Sequence, residues 1–177
     1  GAPLLDLGEL FKVNLKNPVG RILIAMALSS WASVYPGARL EQLVTPAALA
    51  GIEDVAENCV YGRKIAAAVP STLLLGNTFV SHPIGDTQPW KAIAAENDPG
   101  ASATPVPILI TQGGADRIVP ARLTERFVRR LCARGDTVEL RVYPTVEHLE
   151  AGIVVAPDVA AWIADRFAGR PPASSCV

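Results

Sequence analysis

The sequence predicts an α/β fold in which an all-helical region precedes a strand–helix–strand–helix unit. Two observations support this prediction. First, the first hundred residues consist of segments in which Pro and Gly mark the ends of predicted helices. Second, two short apolar runs then alternate with two amphipathic segments. The Pro-rich stretch "DPGASATPVP" separates the two patterns. We therefore expect a helical region over residues 1–100 and part of an α/β core over residues 101–177.

Three segments of the first region predict helices. "NPVGRILIAMALSSWASVYPG" has Asn17 and Pro18 at its start and Pro36 at its end, which is ordinary helix punctuation. "TPAALAGIEDVAENCV" has Thr45 in position to cap and Pro46 in the first turn. The shorter "QPWKAIAAEN" is the third segment. The second helix carries apolar residues at helical spacing, namely Leu49, Ile52 and Val55.

The second region begins with "PILIT", a continuously apolar run typical of a buried parallel strand, and the turn "QGGAD" follows it. A helix is expected from Pro120 to Gly135, then a strand in "TVELRVYP" and a last helix in "APDVAAWIADRFAG". Two strands alone do not form a stable sheet, so further strands must come from elsewhere. The side chains expected to be buried are Leu123, Phe127 and Leu131, then Val138, Leu140 and Val142, and finally Val159, Trp162, Ile163 and Phe167.

Composition and charge exclude several classes of function. With 16 basic and 17 acidic residues and no long run of either sign, the chain offers no surface for nucleic acid. The longest apolar run, "ILIAMAL", is far shorter than the roughly 20 residues that cross a bilayer, so we expect no transmembrane segment. The opening "GAPLLDLGEL" lacks the pattern of a signal peptide. If the protein is exported, its signal lies upstream.

Three cysteines are present, and none are spaced as in zinc or redox sites, so neither a metal nor another cofactor is expected. Cys176 lies in the tail "RPPASSCV", and a disulfide with Cys132 would fasten that tail. Closing a loop of this length is worth about 4 kcal/mol in the chain-entropy model. Three reduced thiols are the alternative. If the disulfide forms, Cys59 needs a partner outside this segment.

Asp116 and His148 are the candidate catalytic residues. Each lies a few residues beyond the carboxyl end of a predicted strand, where loops of a parallel sheet form ligand sites. A carboxylate that orients a histidine, which in turn deprotonates a hydroxyl, is the arrangement of a serine hydrolase. Taken singly, Asp116 is explained equally well as a cap of the following helix. His148, taken singly, is better explained as an ordinary loop histidine. Their order and spacing favour the catalytic interpretation, whereas His82 has no such carboxylate loop and is expected at the surface.

The serine nucleophile of such a site belongs in the frame G-x-S-x-G, at a tight turn from strand to helix. None of the serines in this chain has that frame. In hydrolases with the order Ser, Asp, His, the nucleophile comes first, and we therefore expect it upstream of Gly1. Most of the oxyanion-hole donors would then lie upstream as well.

These residues resemble the secretory lipase family, α/β-hydrolases that include the fungal lipase A type and actinobacterial exported lipases. The likeness is carried by "GAPLLDL", "PWKAIAAENDPG", "PILITQGGADRIVP", "LCARGDTVELRVYPTVEHLEAG" and "WIADRFAGRPPASSC", which span nearly the whole chain. The resemblance implies that residues 1–100 are a helical cap and that residues 101–177 are the last part of a hydrolase core. It also implies that Asp116 is the triad acid and His148 the triad base.

The expected function is therefore that of the C-terminal portion of a secreted lipase or carboxylesterase, acting on lipid or ester substrates. Its partner is the N-terminal half of the same hydrolase, which carries the serine, and the segment alone is expected to be inactive. An apolar cap suits acyl chains, and Ile22, Leu23, Met26 and "STLLLG" are candidates to line an acyl tunnel. Two alternatives stay open: a peptidase or thioesterase of the same fold, and a noncatalytic acyl-binding module.

Overall fold

The computed structural model describes residues 6–57, 75, 76 and 78–176. Cys59 and most of the "STLLLG" segment lie outside these residues. The chain divides into two compact units, which meet in sequence between Asn97 and Asp98. The first unit is helical, and the second holds a parallel sheet with helices.

The first unit contains four α-helices among its described residues. They are α1 (Leu7–Asn14), α2 (Pro18–Val34), α3 (Pro46–Glu57) and α4 (Trp90–Asn97), with a 3-10 turn at Leu40–Gln42. Asn17 caps α2 as its sequence predicts, because the Asn17 side chain accepts from the backbone N–H groups of Val19 and Gly20. On α3, Ile52 and Val55 are fully buried, whereas Leu49 is only partly buried.

A buried aromatic residue fixes α4 against this unit. The Trp90 side chain is fully buried, and its indole Nε1 donates to Gln42 Oε1 over 3.0 Å. At the other end of the helix, Asn97 Nδ2 donates to the Tyr35 hydroxyl over 2.9 Å. The fully buried side chains of this unit include, besides Trp90, the aliphatic residues Ile24, Leu28, Leu43, Ile52, Val55 and Leu75.

The second unit is built as strand, helix, strand and two helices. They are β1 (Ile108–Gly113), α5 (Ala121–Ala133), β2 (Val138–Tyr143), α6 (His148–Val154) and α7 (Ala156–Phe167). β1 and β2 pair in parallel, with Ile108 opposite Val138 at one end and Gly113 opposite Tyr143 at the other. The core between the strands and α5 consists of Ile110, Phe127, Val128, Leu131 and Val138.

The C-terminal tail lies along the free edge of β2. A disulfide joins Cys132 of α5 to Cys176, with the two Cα atoms 5.3 Å apart. Beside it, the Ser175 N–H donates to Val138 O over 2.7 Å, and Ser175 Oγ accepts from the Leu140 N–H over 2.9 Å. The tail therefore occupies backbone groups of β2 that a further strand would need.

The expectation about which side chains of β2 are buried is wrong at Val142. Val142 was expected to be buried but is 45% exposed, while the intervening Glu139 is buried at 8% exposure. Glu139 tolerates burial because its carboxylate accepts from Arg141 Nε (2.8 Å) and Trp162 Nε1 (2.7 Å). Although burial alone would raise the pKa of Glu139, the hydrogen bonds from Arg141 and Trp162 hold it below the ordinary value.

The expected burial of α7 is also wrong among the described residues. Val159 and Trp162 are partly buried, but Ile163 is 45% and Phe167 is 90% exposed. The helix has the predicted apolar stripe, yet a stripe becomes buried only where another element covers it. Along α7, the described part of the chain covers only half of this stripe.

Candidate active site

Asp116 lies in the loop that connects β1 to α5, and its carboxylate is held on both oxygens. Oδ1 accepts from the backbone N–H groups of Ile118 and Val119, each over 2.8 Å. Oδ2 lies 2.8 Å from Nδ1 of His148. The side chain is fully buried. A buried acceptor with this set of donors is a fixed carboxylate.

His148 is the first residue of α6, directly after the loop that follows β2. Its side chain is 30% exposed. Facing Asp116 Oδ2, Nδ1 is the donor of the pair, which leaves Nε2 as the ring nitrogen that can accept a proton. This is the tautomer that a histidine needs to act as a general base toward a hydroxyl.

The parallel register brings the two loops together, as the sequence predicts. Beyond the last paired residues, Gly114 N–H donates to Tyr143 O over 2.7 Å, and Ala115 N–H donates to Val146 O over 3.2 Å. Thirty-two positions separate Asp116 from His148, and these backbone bonds close that distance. The candidate site is therefore an extension of the sheet rather than a chance contact of surface loops.

Two glycines make this approach possible. A Cβ added to Gly113 would collide with the backbone carbonyl of Val146, and one added to Gly114 would lie 2.7 Å from Pro144 O. Real Cβ atoms do not approach backbone atoms so closely, so any side chain at these positions must push the loops apart. "QGGAD" was expected to be a turn after the strand, but Gln112 and Gly113 belong to β1 itself.

A buried amide beneath the acid loop was missed by the sequence reasoning. Gln112 is 1% exposed and contacts Thr124, Val119 and Gly113 through its side chain. The only signal in the sequence was a polar residue at the end of an apolar strand, where a turn residue is equally common. His82, by contrast, is exposed as expected, and its Nδ1 lies 3.0 Å from Ser81 Oγ.

Within residues 6–57, 75, 76 and 78–176, no cluster of three His, Cys, Asp or Glu side chains has the arrangement of a metal site. The same residues contain no helix long and apolar enough to cross a bilayer.

Comparison with solved structures identifies the fold as part of an α/β-hydrolase fold. Candida antarctica lipase A superimposes with a TM-score of 0.70 and 20% sequence identity, covering 95% of this chain and 41% of that structure. The sequence model of the secretory lipase family matches residues 1–175. The chain belongs to the secretory lipase family.

Two relatives of this chain carry contrasting names. Lipase 6 of Candida albicans is 27% identical over 168 residues, which cover 86% of this chain and 35% of the relative. A Mycobacterium tuberculosis protein named "Probable inactive lipase" is 27% identical over 187 residues, covering 97% of this chain and 38% of the relative. The chain thus spans little more than a third of the length of these two relatives.

Proposed function

We propose that this chain is the cap and C-terminal part of a secreted serine hydrolase, a lipase or carboxylesterase that cleaves acyl esters. The observation that carries the proposal is the 2.8 Å contact between His148 Nδ1 and the fully buried carboxylate of Asp116. Residues 1–100 form the cap and residues 101–177 the end of the hydrolase core. The division of the chain between Asn97 and Asp98 supports this assignment.

The reaction is acyl transfer through a covalent intermediate. His148 Nε2 takes the proton of a serine hydroxyl while the serine oxygen attacks the ester carbonyl carbon. The tetrahedral intermediate then expels the alcohol, which receives the proton from His148. Water repeats the sequence on the acyl-enzyme and releases the carboxylic acid. Asp116 orients the imidazole throughout and stabilises its protonated form, without itself taking the proton.

The serine belongs to the N-terminal half of the same hydrolase, which is the partner of this chain. No serine here has the nucleophile frame, and the chain covers 35% of Lipase 6 and 41% of lipase A. By itself the segment is inactive. Secretion is supported by the family and by the Cys132–Cys176 disulfide, since such bonds persist in oxidising compartments.

Substrates are lipid-like esters whose acyl chains the apolar cap removes from water. Each buried methylene contributes about 0.8 kcal/mol to such binding. Ile22, Leu23 and Met26 on α2 are partly buried, so they keep surface that an acyl chain can contact. "STLLLG", the other proposed lining segment, lies largely outside the described residues.

The test is hydrolysis of p-nitrophenyl acyl esters by the longer polypeptide that contains this chain. His148→Ala is expected to lower kcat by about 10⁴- to 10⁶-fold, the range found when a triad member is removed. The exposed His82→Ala variant is the matched control and keeps wild-type activity. Undiminished activity of His148→Ala would remove His148 from the mechanism.

Two competing functions are separated by further measurements. Relative rates on matched ester, amide and thioester substrates distinguish an esterase from a peptidase or a thioesterase. The relative with the name "Probable inactive lipase" favours testing a noncatalytic acyl-binding module as well. A serine-directed phosphonate should label the longer polypeptide but not this chain alone. Absence of labelling in both would support the binding module.

A further inference from the structure

The Gln112 side chain is buried and uses every hydrogen-bonding atom that it has. Its Nε2 donates to Gly113 O over 2.7 Å and to Val119 O over 3.0 Å. Its Oε1 accepts from the hydroxyl of Thr124 on α5, a residue that is itself fully buried. One amide thus links the end of β1, the end of the acid loop and the first turns of α5.

The bond to Val119 matters because the same residue also holds the proposed acid. Val119 N–H donates to Asp116 Oδ1 over 2.8 Å, while Val119 O accepts from Gln112. At the other end of the loop, Gly113 O accepts both from Gln112 and from the Asp116 N–H. Gln112 therefore holds one carbonyl that itself accepts from the Asp116 N–H, that of Gly113, and the carbonyl of Val119, the residue whose own N–H donates to Asp116.

We propose that Gln112, oriented by Thr124, is a positioning residue that sets the Asp116 carboxylate in register with His148. The proposal rests on the proposed function, in which that pair acts as acid and base of a triad. Gln112 touches neither substrate nor His148 and acts only through the loop. A purely structural amide would stabilise the fold without determining the orientation of the imidazole.

Replacing the amide removes a donor from two carbonyls, those of Val119 and Gly113, and Gly113 O keeps only the Asp116 N–H. The loop must move to recover the lost hydrogen bonds. In Gln112→Met, Gly113 O and Val119 O both lose the hydrogen bond from Nε2. Val119 is then free to shift, and its N–H no longer donates to Asp116 from the same position. A displacement of about 1 Å in a catalytic group lowers a rate by about 100-fold. Gln112→Met is thus expected to lower kcat by about 10- to 100-fold with KM nearly unchanged.

Kinetics of the longer polypeptide provide the first test, with variants that separate an effect on the Asp116 position from an effect on stability. Thr124→Val removes only the hydroxyl that orients Gln112, so it should also lower kcat. Thr124→Ser keeps that hydroxyl and should have the wild-type kcat. Thr111→Val is the matched control: Thr111 is a buried neighbour on β1, and its hydroxyl has no hydrogen-bond partner among the described residues. This control should leave kcat unchanged.

A double-variant cycle then asks whether Gln112 acts through Asp116. In an Asp116→Asn background the acid no longer orients the histidine, so adding Gln112→Met should cause no further loss of kcat. A full additional loss in that background would mean that Gln112 does not act through the acid. That result would overturn the proposal.

The second readout does not depend on activity. In the longer polypeptide labelled with ¹⁵N-histidine, the imidazole shifts report which ring nitrogen carries the proton, and the signal that is absent from His148→Asn is that of His148. His148 should be in the Nδ1–H form, and both Gln112→Met and Thr124→Val should shift it toward the Nε2–H form. Unchanged shifts in folded variants would overturn the proposal. Changed shifts in a protein without esterase activity would retain the positioning role and refute the proposed function.

Discussion

Asp116 and His148 come into contact because of three features at the residue scale: a parallel register, two glycines and a carboxylate with backbone donors. Gly113 and Gly114 allow the two loops to approach, and Ile118 and Val119 hold one oxygen of Asp116 so that the other faces the imidazole. The Asp116 carboxylate is thus fixed by the fold itself. In the proposed triad, such preorganisation would lower the reorganisation that the transition state requires.

Gly114→Ala tests whether close approach of the loops is required. The added Cβ would lie 2.7 Å from Pro144 O and 2.8 Å from Pro144 Cα, and neither backbone atom can yield without moving the loop. We expect a loss of about 1–3 kcal/mol in the free energy of unfolding, as for overpacked sites, together with loss of esterase activity. Denaturant unfolding and p-nitrophenyl ester hydrolysis measure the two effects.

The control for this substitution is Gly152→Ala on α6. A Cβ at Gly152 meets no atom within 4 Å, and alanine is the better helix former by about 1 kcal/mol. Gly152→Ala should therefore leave stability unchanged or slightly raised, and activity intact. If Gly114→Ala behaved in the same way, the loops would not need their glycines.

Sequence alone predicts that Asp116 and His148 meet, since each has a distinctive residue type at the end of a predicted strand. It does not predict Gln112, because an amide next to two glycines is as common in a turn as in a buried strand. The role of that amide becomes visible only when Val119 and Thr124 are placed around it. Contacts between residues close in sequence but on different elements depend on packing that local patterns do not encode.

At the scale of elements, the end of α5 and the start of β2 are joined to the connector that precedes β1. Asp136, between the two elements, accepts from the Thr104 N–H and from Arg134 Nη2, each over 2.7 Å. Arg134 also donates to Gly100 O. The Thr104 hydrogen bond, assisted by that from Arg134, holds the pKa of Asp136 below its ordinary value of 3.8.

This lowered pKa predicts a loss of stability in acid. Because the folded-state pKa lies below that of the unfolded chain, the contribution of Asp136 is complete above about pH 3.8 and is lost as pH falls through the folded value. In Asp136→Asn, which can still accept from Thr104, the free energy of unfolding should fall less steeply below about pH 4. Urea unfolding at a series of pH values measures both slopes. Equal slopes for the two proteins would contradict the assignment.

The helices and strands themselves are largely predictable from the sequence. Which of their faces are buried is not. The helices α2 and α5 follow from their punctuation and periodicity, and both lie where these signals place them. The facing of Val142 and Phe167 depends on which element covers each stripe, and that is a property of the whole fold. A pattern of period two or 3.6 predicts that a face is apolar but does not predict that it is covered.

At the scale of the whole molecule, exposed apolar side chains concentrate in the second unit. Among the described residues, large exposed hydrophobic side chains there are Val106, Val142, Leu149, Ile153, Val154, Ile163 and Phe167. Val106, Ile163 and Phe167 also line a groove of about 240 Å³ with Pro107, Trp162 and Arg166. Soluble monomers rarely expose extended apolar surface, and two paired strands are few for a stable sheet.

We therefore predict that this chain by itself self-associates, and that the N-terminal half of the hydrolase abolishes the association. Sedimentation velocity at increasing protein concentration should show oligomers of the isolated chain, whereas the longer polypeptide should remain monomeric. Replacing Ile153 and Phe167, which are 82% and 90% exposed, by lysine should reduce the association without lowering the free energy of unfolding. Val34, 65% exposed on the helical unit, is the matched control, and Val34→Lys should leave association unchanged. An isolated chain that is monomeric and unfolds cooperatively would show that the second unit needs no further strands, and the proposed partner half would lose its structural support.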